Sequence, residues 1–233
     1  MSLSVAACAA VFGGAAAAFL PRVAHRLAVP RGTPARSACA HCAEPIPDWV
    51  RAGAACTCTG RPLWIVTTGA LATGLLGAAL GPSPLLLVLL PATVLGLLLA
   101  VIDVQCLRLP DLLVAALAAG TVLPLTVGAL LAGEPGRLGR AVVVAVGGGT
   151  AYLILALLPG RGLGLGDVKL ATVLGFVLGF AGWPAAVAGL VAPHLINGPV
   201  AVVLLLGRRA NRRTALPLGP ALLAGAVIGL AVG

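Results

Sequence analysis

Two aspartates stand out in a chain that has only six acidic residues. Asp103 follows a long apolar run, and Asp167 opens another. Ionisable residues beside or inside a membrane segment are expensive and are functional by default. Two carboxylates sharing a site do not both ionise easily, so one keeps a proton while the other acts as base. The base activates a water and the acid protonates the carbonyl oxygen, which hydrolyses an amide with no covalent intermediate and no metal. Such a pair titrates as a unit, so neither residue takes a fixed role. A helix N-terminus favours negative charge at Asp167 and leans towards Asp167 as the base. The competing reading is structural, with Asp103 a helix-boundary residue and Asp167 an N-cap.

Asp167 lies in the stretch Arg161–Leu170, RGLGLGDVKL, with Gly162, Gly164 and Gly166 at alternate positions and Lys169 just after it. Glycine lets the backbone bend or approach another segment closely. A flexible inter-helix loop is the plain alternative.

Composition sets the setting for this chemistry. Of 233 residues, 60% are hydrophobic and 9% charged, and the mean hydropathy is +1.12. A soluble domain carries about 25% charged residues, so the chain reads as an all-α polytopic membrane protein. The net charge of +9 belongs to its loops. With aromatics at 3% a base-stacking surface is not expected, and nucleic acid is not an expected partner. The apolar run Leu3–Leu20 has its arginines after it, the reverse of a signal peptide.

Eight spans are expected: Leu3–Leu20, Pro62–Leu80, Pro84–Ile102, Leu112–Ala132, Ala141–Leu158, Val168–Ala181, Ala185–Leu206 and Ala215–Val232. Alternating them puts the links 21–61, 103–111, 159–169 and 207–214 on one side. Those links hold every Lys and Arg except Arg137 and Arg140. The positive-inside rule makes that side cytoplasmic and puts both termini outside. Asp103 and Asp167 then share the cytoplasmic face. The sixth span, about 14 residues at about 1.5 Å each, covers roughly 21 Å, which would set Asp167 below the surface of a hydrocarbon core about 30 Å thick.

Cys39-x2-Cys42 and Cys56-x-Cys58 occupy the long first link. A reducing compartment disfavours a disulfide, and four thiolates in two pairs suit a tetrahedral structural Zn²⁺. The C-x-C spacing strains the second chelate, and His41 could substitute. Unliganded thiols are the alternative. Cys8 and Cys106 are isolated and read as filling. His194, with Asn197, reads as a buried polar packing pair. Asp111 follows Pro110 as a helix-start residue does.

Ile102-Asp103 with Leu109-Pro110-Asp111 resembles the first-aspartate motif of the prepilin peptidases, the type IV leader peptidases. Gly164-Leu165-Gly166-Asp167-Val168-Lys169-Leu170 resembles their second motif, the GxGDxKL signature of membrane GxGD aspartic proteases. Gly149–Leu153, Ala171–Gly175 and Leu216–Pro220 look like flanking family segments. Ala18–Leu27 looks like a worn form of the N-terminal one. The resemblance implies that Asp103 and Asp167 are the catalytic pair, with Gly164, Gly166 and Lys169 in the active-site loop. It implies removal of the basic leader from type IV prepilins or pseudopilins at the cytoplasmic face of the bacterial inner membrane, serving pilus assembly or type II secretion. Many relatives also N-methylate the new terminus with S-adenosylmethionine, and that activity is attributed to the N-terminal part. Here that part is short, and Arg161-Gly162 stands where a glutamate is common. The family's zinc-type loop has two C-x2-C pairs. On this reading residues 1–62 are a degenerate N-terminal region with the cysteine loop, and 63–233 are the membrane-embedded peptidase domain. Proteolysis needs no cofactor. A proton- or ion-coupled transporter using the same acids as a relay, and an inactive pilus-assembly scaffold, are the alternatives.

Overall fold

A computed structural model describes residues 2–30, 32–56, 58, 63–158, 163–206 and 217–233. Nine α-helices and no strand occur among them: α1 Ser2–Ala17, α2 Leu20–Leu27, α3 Leu63–Leu80, α4 Pro84–Cys106, α5 Asp111–Leu131, α6 Pro135–Leu157, α7 Leu165–Ala181, α8 Trp183–Leu206 and α9 Gly219–Val232. Arg161, Gly162 and the basic link Arg208–Arg213 lie outside the described residues. The all-α polytopic reading holds. The span count differs: four or five qualify among the described residues, against the eight expected.

Among the described residues four helices, α3 to α6, are long and apolar enough to cross a membrane, or five if α1 and α2 form one bent span. The expected first span is broken by 45° before Leu20, where Pro21 opens a new helix. Proline fits a first turn, whose N–H has no helical partner in any case. The last helix, α9, has 14 residues, about 21 Å at about 1.5 Å per residue, short of a hydrocarbon core of about 30 Å.

The chain divides into two compact units, Met1–Arg108 and Leu109–Gly233. In the first, α1 packs on α3 through small residues. A Cβ added at Gly77 would lie 2.8 Å from the Cβ of Ala9. Thr73, fully buried, donates across this contact to the Ala9 carbonyl at 2.7 Å. In membranes close backbone approach, not hydrophobic exclusion, drives such packing.

In the second unit α6 and α7 pack by the same logic. Gly175 faces the Val144 carbonyl and Ala145, Gly179 faces Ala141, and Gly149 faces Thr172. The two helices are therefore antiparallel, in a register fixed by glycines. Arg140 reaches across the far end and donates to the Gly179 carbonyl at 2.6 Å and the Phe180 carbonyl at 3.2 Å. These are carbonyls of the last turn of α7, which lack helical donors.

Candidate active site

The third expected span was to end at Ile102. Instead α4 continues through Cys106, so Asp103 lies inside its last turn. Leu107 takes the left-handed conformation (φ 50°) and its N–H bonds the Asp103 carbonyl at 2.7 Å. That cap ends the helix one turn later than hydropathy alone indicates. Asp103 is 4% exposed, the only buried acid among the described residues. Ile102 before it is fully buried. Cys106 returns its thiol to the Ile102 carbonyl at 3.3 Å, an ordinary contact within the helix.

Asp167 belongs to the second unit. Its helix begins at Leu165, not Val168, and has 17 residues. Asp167 is thus the third residue of α7 and not its N-cap, which is Gly164. The Gly164 N–H donates to Asp167 Oδ2 at 3.1 Å. This is half of a capping box, because glycine has no side chain to return the bond. The acid sits where the unpaired N–H groups of the helix start favour negative charge.

Gly166 is required by a close approach. A Cβ there would stand 3.0 Å from the Leu109 Cβ and 3.6 Å from its carbonyl oxygen. Gly164 is less constrained, with ordinary extended backbone and Asp167 Oδ2 at 3.4 Å from an added Cβ. Lys169 Nζ donates to Asp111 Oδ1 at 2.6 Å. Asp111 stands in the first turn of α5, with Pro110 as N-cap. The sequence placed both residues, but not their pairing.

Tyr152, the chain's single tyrosine, is 3% exposed on α6. The His194 ring of α8 meets it edge-on, with centroids 5.7 Å apart. His194 is exposed, so the expected buried pair with Asn197 is replaced by this aromatic contact. No charge or spacing signal in the sequence marked Tyr152 as a site residue.

In the first unit the four cysteines converge. Cys39, Cys42, Cys56 and Cys58 bring their Sγ atoms within 4.8 Å of one another. Cys39 Sγ lies 3.0 Å from Cys56 Sγ and 3.5 Å from Cys58 Sγ, and Cys56 and Cys58 are 2.9 Å apart. A turn with Ala43 at φ 57° presents Cys39 and Cys42, and the Cys39 N–H bonds the Glu44 carbonyl. His41 contributes its backbone N–H to Cys39 Sγ at 3.4 Å, and the converging set is made of cysteines alone. The Cys56 thiol, then the His41 and Cys42 N–H groups, hold the Cys39 thiol down at about 6. The Cys58 thiol is pushed up, chiefly by Cys56. Four sulfurs this close, one of them readily ionised, fit a metal with bonds of about 2.3 Å. They could hold a structural metal ion.

The loop is held by arginines. Arg26, 8% exposed, donates to the Ile46 carbonyl and lies 4.1 Å above the Trp49 ring. Arg22 donates to the Ala54 carbonyl at 3.3 Å and Arg36 to the His25 carbonyl at 3.1 Å. By sequence these were loop charges that set orientation. Here they also bind backbone carbonyls.

Residues 93–207 match the type IV leader peptidase family. The resemblance seen in the aspartate motifs is borne out over that stretch. The leader peptidase region contains Asp103, Asp111, Asp167, Lys169 and Tyr152, and it lies beyond the cysteine loop. The match implies a protease, within a multi-pass membrane protein. No curated protein and no solved structure matches the chain.

Proposed function

We propose that this protein is a membrane aspartic endopeptidase that removes the leader peptide from type IV prepilins or pseudopilins. The observation that carries the reading is the leader peptidase match over 93–207, because it encloses both motif aspartates. Asp103 and Asp167 are the catalytic pair. One carboxylate takes a proton from water while the other, protonated, donates to the carbonyl oxygen of the scissile peptide. The tetrahedral intermediate then collapses and the leaving amine takes a proton. Gly164 at the N-cap and Gly166 and Lys169 inside α7, where a loop was expected, fix Asp167. The Gly164 N–H holds its carboxylate, and Lys169 anchors the N-terminal part of α7 to Asp111.

The excess of Lys and Arg on one set of links supports a cytoplasmic active site in the bacterial inner membrane. Substrates with a basic leader ahead of an apolar helix would present the cut at that face. Residues 63–233 form the peptidase domain. Residues 1–62 form a degenerate N-terminal region, where Cys39, Cys42, Cys56 and Cys58 hold a structural Zn²⁺ that stabilises the loop. N-methylation by S-adenosylmethionine is the second activity to test.

The test is co-expression with a prepilin, followed by mass spectrometry of the pilin N-terminus. Wild type should yield the mass lost with the leader, and Asp103→Ala and Asp167→Ala should not. Full processing by either variant, inserted at wild-type level, would refute the reading. An added methyl mass on the product reports the second activity in the same spectrum.

A further inference from the structure

The Tyr152 hydroxyl oxygen is buried and has no hydrogen-bond partner among the described residues. A buried phenol without a partner costs free energy, the more so where no bulk water can reach it. Each such group in a folded protein calls for a reason. Packing is not enough of one, because phenylalanine would fill the same volume without the cost.

The α6–α7 register says what lies beside it. Gly179 faces Ala141, Gly175 faces Ala145, and Gly149 faces Thr172. Continuing that antiparallel register brings Tyr152 level with Val168 and Lys169, near the start of α7. Asp167 directly precedes them in α7. On the other side, Gly148 faces Leu190 and Tyr152 meets His194, both one turn further on. The ring is thus met from α8 while its hydroxyl has no hydrogen-bond partner among the described residues.

We propose that Tyr152 is a substrate-contacting residue of the Asp167 site, its hydroxyl donating a hydrogen bond to the carbonyl oxygen of the bound peptide at the cleavage point. Negative charge builds on that oxygen during amide hydrolysis, and a fixed donor aimed there stabilises the transition state more than the ground state. The proton stays on the phenol, and no bond to Tyr152 forms. This rests on the reading of Asp167 as a catalytic carboxylate.

Because the chain has one tyrosine, growth on 3-fluorotyrosine labels this phenol alone. The experiment compares Tyr152→Phe, Asp167→Asn and the fluorinated wild type, with a synthetic peptide spanning a prepilin leader and its first apolar residues. We expect Tyr152→Phe to insert normally and to lose about tenfold or more in kcat, by analogy with removal of one transition-state donor, with KM little changed. We expect the ¹⁹F resonance to shift when the peptide is added to fluorinated Asp167→Asn, which binds without cutting. Wild-type kcat in Tyr152→Phe beside an inactive Asp167→Asn would overturn the assignment and leave the peptidase reading intact. Cleavage by Asp167→Asn would overturn both. If Tyr152→Phe fails to accumulate, an unmoved ¹⁹F resonance at saturating peptide would still overturn it.

Discussion

Lys169 Nζ and Asp111 Oδ1 lie 2.6 Å apart, joining the N-terminal part of α7 to the first turn of α5. The two side chains are 54% and 58% exposed, and exposed pairs contribute about 0.2–1 kcal/mol at most. Their value is positional, since Lys169 is two residues from Asp167. We predict that Asp111→Asn and Lys169→Met each lower cleavage by a few-fold and that the double variant is no worse than the poorer single one. The charge-swapped pair, Asp111→Lys with Lys169→Asp, should recover activity. A cleavage-rate double-mutant cycle checks this, and fully additive losses would show that the pair does not act as a unit.

Gly166→Ala should be far more damaging than Gly164→Ala. An added Cβ meets Leu109 at 3.0 Å in the first case and, in the second, nothing closer than the Asp167 carboxylate at an ordinary 3.4 Å. Shortening Leu109 to alanine leaves its Cβ in place, so Leu109→Ala should not rescue Gly166→Ala. Leu109→Gly should rescue it in part. Leader cleavage and the midpoint of thermal unfolding in detergent, measured side by side, test the order. Equal tolerance at both glycines would contradict it.

Asp167 has a structural task separable from its chemistry. Its carboxylate accepts the Gly164 N–H at 3.1 Å, and loss of an N-terminal cap costs about 1 kcal/mol. Asp167→Asn keeps an oxygen for that bond, whereas Asp167→Ala does not. Both should be inactive, but only the alanine variant should lose thermal stability. An active Asp167→Asn would mean that the ionisable group is not needed.

The cysteine loop should behave as a peripheral metal site. Cys39→Ser removes a buried sulfur 3.0 Å from that of Cys56 and should abolish bound zinc, measured by elemental mass spectrometry on purified protein, while leader cleavage continues. Arg26→Ala should weaken zinc retention as well, though it is no ligand, because Arg26 binds the Ile46 carbonyl and stacks on Trp49 beside the loop. Zinc at full occupancy in Cys39→Ser would exclude a four-cysteine site.

The membrane class, the all-helical fold and the two aspartate motifs were legible in the sequence. Hydropathy and motif spacing are properties of neighbours along the chain, and no tertiary contact is needed to read them. The two cysteine pairs were legible for the same reason, because each pair is local in the sequence, while their convergence joins residues 17 and 19 apart. Span count and helix ends were read less well. A left-handed Leu107 ends α4 one turn beyond the apolar run, and Pro21 breaks the first span, and neither changes the mean hydropathy of its segment. What only the tertiary structure decided is which distant residues meet. Lys169 finds Asp111, Gly166 admits Leu109, Arg26 turns inward to a loop carbonyl, and Tyr152 is buried beside the start of α7. These depend on the register of one helix against another, which in a membrane is set by where small residues let backbones approach. Glycines are spread through this whole chain, so the sequence offered many such registers, and only packing selected one.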